Sequence, residues 1–107
     1  MIDAGRTREV IRQYEKHGWI LRRVLLSAAT RERLGADEIV FGDAPVTPAE
    51  IDAAWFARPS KDGGEAWELR RLSGSPFAII EVFDQDDEDE VRDEALGEIE
   101  KRMKNGK

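Results

Sequence analysis

The chain has 107 residues, no cysteine, and 23 acids against 17 bases, for a formal net charge of −6. That length accommodates one core, spanning residues 1–107, and the missing thiols exclude disulfides, thiolate metal sites and cysteine nucleophiles. No charge-free run approaches the roughly 20 residues of a membrane helix, and no basic segment leads into an apolar run at the start. The expectation is a cytoplasmic protein without membrane contact.

In chain order, residues 7–17 read as a first helix, with Val10, Ile11 and Tyr14 recurring on one apolar face. Gly18 is the natural left-handed residue to stop it. His17, the only histidine, falls in the last turn, where a partly positive imidazole meets the negative end of the helix dipole. Residues 19–27 are rich in large and branched side chains on both faces and predict a strand inside the sheet. Residues 30–34 suit a single helical turn capped by Thr30 and ended by Gly35. Residues 38–42 predict a weak strand. Thr47, Pro48 and Glu50 then carry the chemistry of a helix start: a cap, a proline at the first helical position and a capping-box acid. That helix runs to about Ala53 or Ala54.

Residues 55–83 predict a three-stranded antiparallel meander. Asp62-Gly63 offers a type I′ turn and Gly74-Ser75 a type II′ turn. Taken as two-residue loops, these place Arg58 opposite Trp67, as a cation–π pair, and Phe56 opposite Leu69. They also place Leu69 opposite Ile80 and Trp67 opposite Val82. Phe56, Trp67, Leu69, Ala78, Ile80 and Val82 then form the core face, a register that a one-residue slip would invert.

The negative charge is local: residues 84–90 hold six of the acids, and the remainder balances at 17 against 17. A balanced remainder argues against nucleic-acid binding, which needs a basic excess. The acidic run leads into a last helix, about residues 88–103, with Val91, Ala95, Ile99 and Met103 every four residues and Leu96 beside them. Its acids sit at the positive end of the dipole and Lys101, Arg102 and Lys104 at the negative end. Residues 105–107 should fray. The fold class is therefore α+β: a mostly antiparallel sheet of about four or five strands, with the N- and C-terminal helices packed on one face, in the order α-β-β-α-β-β-β-α.

Chemistry-bearing motifs are sparse. The acidic run lacks the glycine and the terminal acid of a calcium loop, so no metal is expected. No nucleophile elbow, paired-histidine motif or phosphate loop is present, so no cofactor is expected. The predicted register sets Glu68 opposite Glu81 with Arg70 beside them, a candidate ligand-binding or acid/base group. The residues around it, Trp55, Leu72, Phe77, Ile79 and Phe83, form an apolar surface suited to an interface. The leading expectation is a non-enzymatic interaction or small-ligand-binding module that forms a homodimer through the sheet, with a further protein or small-molecule partner left open. The alternative is a small enzyme, or an accessory subunit of one, built on Glu68, Glu81 and Arg70. Twelve arginines against five lysines point to a G+C-rich bacterial source.

Overall fold

The computed structural model describes residues 2–106. Helix α1 (Ala4–Lys16) begins three residues before the predicted start, because Asp3 caps it, accepting the Gly5 and Arg6 N–H groups at 2.8 and 3.2 Å. It ends as predicted at Gly18, with φ of +88°. The Trp19 N–H reaches the Tyr14 carbonyl and the Gly18 N–H the Glu15 carbonyl, both at 3.0 Å, the paired bonds of a Schellman stop. Strand β1 (Ile20–Leu26) follows and lies inside the sheet, as its two apolar faces predict.

Three local expectations between β1 and the meander are corrected. Helix α2 (Ala28–Leu34) is capped by Ser27, not Thr30. Thr30 instead sits in the first turn and donates its hydroxyl to the Asp52 carboxylate at 2.8 Å. Residues 38–42 are not a strand: a 3₁₀ segment (Gly35–Phe41) bracketed by two positive-φ glycines, Gly35 and Gly42, turns Phe41 into the core. The helix expected at Thr47 is strand β2 (Val46–Pro48), parallel to β1 with Val24 beside Val46 and Leu26 beside Pro48. The reason is long-range. Val24 and Leu26 are fully buried, so their outward backbone groups need partners. The Val24 N–H finds the Pro45 carbonyl at 2.9 Å and the Leu26 carbonyl takes the Ala49 N–H at 3.0 Å. That requirement outweighs a local capping signal.

The meander forms where predicted, as β3 (Ala53–Pro59), β4 (Glu65–Arg71) and β5 (Ala78–Phe83). Both turns, however, are longer than two residues. Ser60 and Gly64 close the first around residues 61–63, with Asp62 and Gly63 both at positive φ, and Arg71 bonds Phe77 across residues 72–76. Each longer loop slips its hairpin by one residue, so Ala57 faces Trp67, Phe56 faces Glu68, Glu68 faces Ile80 and Trp67 faces Glu81. Because side chains alternate, β3 and β5 are inverted relative to β4. The sheet is five-stranded and mixed, in the order β2-β1-β3-β4-β5, and antiparallel except at β1–β2.

Helix α3 (Asp89–Lys104) buries Leu96, Ile99 and Met103, while Val91, expected on that stripe, is exposed. The Asn105 and Gly106 N–H groups bond to the Lys101 and Met103 carbonyls at 3.0 Å, and Lys107, the last residue expected to fray, lies outside the described residues. The two terminal helices do not share a face of the sheet. Ile11 and Tyr14 of α1 pack with Ala54, Phe56 and Ala66, whereas Leu96, Ile99 and Met103 of α3 pack with Trp55, Ala57, Trp67 and Leu69. Alternate β3 residues therefore enter two different cores. Both faces of β3 are apolar, and one helix cannot cover both. None of the described helices is long and apolar enough to cross a membrane.

Candidate functional site

The slip in register separates the residues grouped from the sequence. Glu68 faces Ile80 and lies on the α1 side of the sheet, while Glu81 faces Trp67 on the α3 side. The carboxylate pair does not form. Of the surrounding apolar set, Trp55 and Phe83 are buried and Phe77 and Ile79 partly buried in the α3 core, and Leu72 packs against the α1 core. The surface assigned to an interface is thus largely covered by the chain's own third helix.

Glu68 has a different partner. The Tyr14 hydroxyl of α1 donates to its carboxylate, and the Tyr14 ring stacks on Phe56 with centroids 4.0 Å apart. Burial, reinforced by the Glu68 carboxylate and only partly opposed by Arg70, pushes the Tyr14 hydroxyl well above the ordinary phenol range. A proton held that firmly serves to dock α1 onto β4. Arg70 lies on the same side and spends its Nε on the Arg71 carbonyl at 3.1 Å.

On the α3 side, Trp67 is ringed by guanidinium groups, from Arg22 at 4.8 Å, Arg92 at 5.2 Å and Arg23 at 5.5 Å. Arg58, expected here, lies over Trp19 instead, at 4.7 Å. Glu65, Asp89 and Asp93 balance the three guanidinium groups: Glu65 pairs with Arg22 at 3.6 Å, Asp89 with Arg92 at 3.5 Å, and Asp93 accepts from Arg23 at 3.0 Å. The hydrogen bond from Arg23 holds the Asp93 carboxyl below its ordinary range. Opposed charges are satisfied locally here, so the cluster reads as a clasp between α3 and the sheet. The acidic run is likewise tied to itself, Asp87 accepting the Asp84 N–H at 2.9 Å. Among the described residues no group of three or more histidines and acids is placed to hold a metal ion.

A concavity of about 600 Å³ is an open groove beside the N-terminal half of β1, where β2 no longer pairs. Arg8, Arg12 and Arg22 line it, with Glu15 and Asp43 opposite in sign. Neither Tyr14 nor Asp93, whose proton affinities the fold shifts, lines it.

Among the described residues the outer edge of β5, the last strand of the sheet, pairs with no other strand. The Arg71 N–H bonds the Phe77 carbonyl at 2.8 Å. By antiparallel alternation, Ile79, Glu81 and Phe83 also turn their backbone groups toward β4, and Ala78, Ile80 and Val82 turn theirs outward. The side chains of those same three residues stand on the α1 side, beyond the reach of α1: Ile80 is 55% and Val82 61% exposed. Sequence reasoning put Ile80 and Val82 in the core, because the two-residue loops placed them there. An apolar strand whose outward residues carry no charge is a template for a further strand.

Compared with known proteins, the chain matches no protein-family model, no curated protein and no solved structure.

Proposed function

We propose that this protein is a non-enzymatic interaction module that self-associates by adding a strand to the outer edge of β5. One observation carries the reading: Ala78, Ile80 and Val82 combine exposed apolar side chains with outward backbone groups, on a strand whose only charged side chain, Glu81, lies on the other face. The alternative of an enzyme built on Glu68 and Glu81 loses its geometry once those carboxylates lie on opposite faces. The reading takes the chain as a bacterial cytoplasmic protein, on its cysteine-free, arginine-rich composition.

Sedimentation decides it. At about 100 μM, where an interface of micromolar Kd is mostly occupied, the protein should run at twice the monomer mass. Ile80→Lys should run as a folded monomer, because a lysine on an open edge blocks strand addition. An unmodified protein that stays monomeric at that concentration overturns the reading.

A further inference from the structure

The β5 edge is electrically asymmetric. At its C-terminal end the chain runs directly into residues 84–90, which hold six acids. Its N-terminal end abuts the turn of residues 72–76. There Arg6, Arg70 and Arg71 line a small cavity of about 20 Å³ with Thr7, Leu72 and Gly74. Among the described residues these three arginines make no ion pair; Arg71 lies over the Phe77 ring at 5.2 Å. One end of the strand therefore carries cations outside any ion pair, with Arg70 beside the Tyr14 hydroxyl, and the other a surplus of anions.

We infer that the partner of this edge is a second copy of the chain. It pairs antiparallel about a two-fold axis at Ile80, with the acidic run of each copy seated against Arg6, Arg70 and Arg71 of the other. The inference rests on the β5 reading above and specifies its geometry. Since Ala78, Ile80 and Val82 carry the outward backbone groups, they must be the hydrogen-bonded residues of the new ladder. Centring it on Ile80 sets Ile80 against its own counterpart and Ala78 against Val82 of the second copy, one continuous apolar row. On the other face Glu81 then meets Ile79 of the second copy, so no like charges oppose.

The antiparallel direction also decides the charges. Beyond Phe83 the chain turns at once, the Asp87 N–H reaching the Asp84 carbonyl at 3.0 Å, so the head of the acidic run stays at the C-terminal end of β5 and lies beside the 72–76 turn of the other copy. Arg71, which pairs with Phe77 on the neighbouring strand, is then two strand spacings from the second copy, about 9.5 Å between backbones. That is a span an arginine and a carboxylate bridge side chain to side chain. A parallel pairing would instead set acids against acids. Pairing β5 with the other edge would match it to β2, only three residues long and ending in Pro48. Size points the same way. Specific interfaces use about 20–30 residues a side, far more than one short strand supplies, so the flanking turn and acidic run have to take part.

Two variants test the arrangement. Asp84→Lys/Asp86→Lys reverses the first two of the six acids, and Arg70→Glu/Arg71→Glu reverses two of the three arginines. Neither pair of changes touches a residue fully buried in either core. Each variant alone should self-associate about tenfold more weakly than the unmodified protein, as two attractive contacts become repulsive. Mixed one to one, they should form a heterodimer with affinity restored, because every contact is then again between opposite charges. Circular dichroism of each variant alone establishes that it is folded. Should either fail to fold, Asp84→Asn/Asp86→Asn is the fallback; the unmodified dimer must then weaken with added salt, and this variant, with two acids fewer, must weaken less steeply. Heterodimer formation, or the shallower salt dependence, supports the arrangement. If the protein dimerises through Ile80 yet the two variants show no preference for each other, or the salt response is unchanged, the two-fold charge pairing is wrong and the β5 reading survives. If the unmodified protein is monomeric, both fall together.

Discussion

At one edge of the sheet, β2 is short, ends in a proline that has no N–H to offer, and leaves Thr47 and Pro48 exposed. Where β2 stops, the bare half of β1 is flanked by Arg8, Arg12 and Arg22. At the other edge, β5 presents Ala78, Ile80 and Val82 in an unbroken row, with no proline, bulge or outward charge among them. The two edges solve the same physical problem, unpaired backbone groups at the end of a sheet, in opposite ways. A guarded edge needs only to stop. An unguarded apolar edge is the surface that the proposed self-association would use.

The largest expected effect breaks the guarded edge. Asp52 accepts the Ser27 N–H at 2.9 Å and the Thr30 hydroxyl at 2.8 Å, tying the start of α2 to the chain that leads from β2 into β3. Asp52→Ala leaves the Ser27 N–H without a partner and the hydroxyl of buried Thr30 with only the Ser27 hydroxyl, at 3.0 Å. It should cost about 2–3 kcal/mol in chemical denaturation. A loss under about 0.5 kcal/mol, the range of ordinary surface changes, would mean that the corner is held by packing alone.

A somewhat smaller effect is expected where β5 ends. A Cβ on Gly64 would collide with the Phe83 carbonyl oxygen, which is backbone and cannot swing aside. Gly64→Ala should therefore destabilise the protein by about 1–2 kcal/mol, as overpacked sites do. It should also weaken self-association, since moving Phe83 moves the strand offered to the partner. An unchanged melting temperature would show that β5 can shift freely at this end, and the edge would then not be the rigid template described.

The smallest effect sharpens the line between covered and open sheet. Tyr14 is the point where α1 grips β4, one strand short of β5. Its proton affinity is raised by the fold, so its contribution to stability is fully present below the ordinary phenol value of 10.0 and is lost as pH rises further toward the folded-state value. It is the only tyrosine, so absorbance near the phenolate band reports it alone. Ionisation should be delayed well beyond pH 10 in the folded protein, coinciding with alkaline unfolding, and the Glu68→Gln variant should ionise earlier. Normal titration near 10 in the folded protein would remove the Tyr14–Glu68 contact from the account.

The sequence by itself determined much of the local structure. Gly18 ends α1 because only a residue free to adopt positive φ closes that Schellman motif. The alternating apolar runs on either side of Asp62-Gly63 and Gly74 make β3, β4 and β5 strands. The absence of metal-binding and phosphate-binding patterns could be read directly. What the sequence could not decide was anything that depends on counting across space. Two turns with the right residues but one or more extra positions moved β3 and β5 against β4 by a single residue, and that step exchanged Glu81 for Ile80 beside Glu68. The same step carried Trp55 and Phe83 from a predicted surface into the α3 core and brought Ile80 and Val82 out of it. At Thr47 a complete helix-start signal gave way to β2, because buried Val24 and Leu26 needed backbone partners that only a distant segment could supply. Local propensities are worth a fraction of a kcal/mol per residue, while an unpaired buried backbone group costs about 1–3 kcal/mol. Where the two conflict, the tertiary structure decides, and here it decided which edge of the sheet was left open.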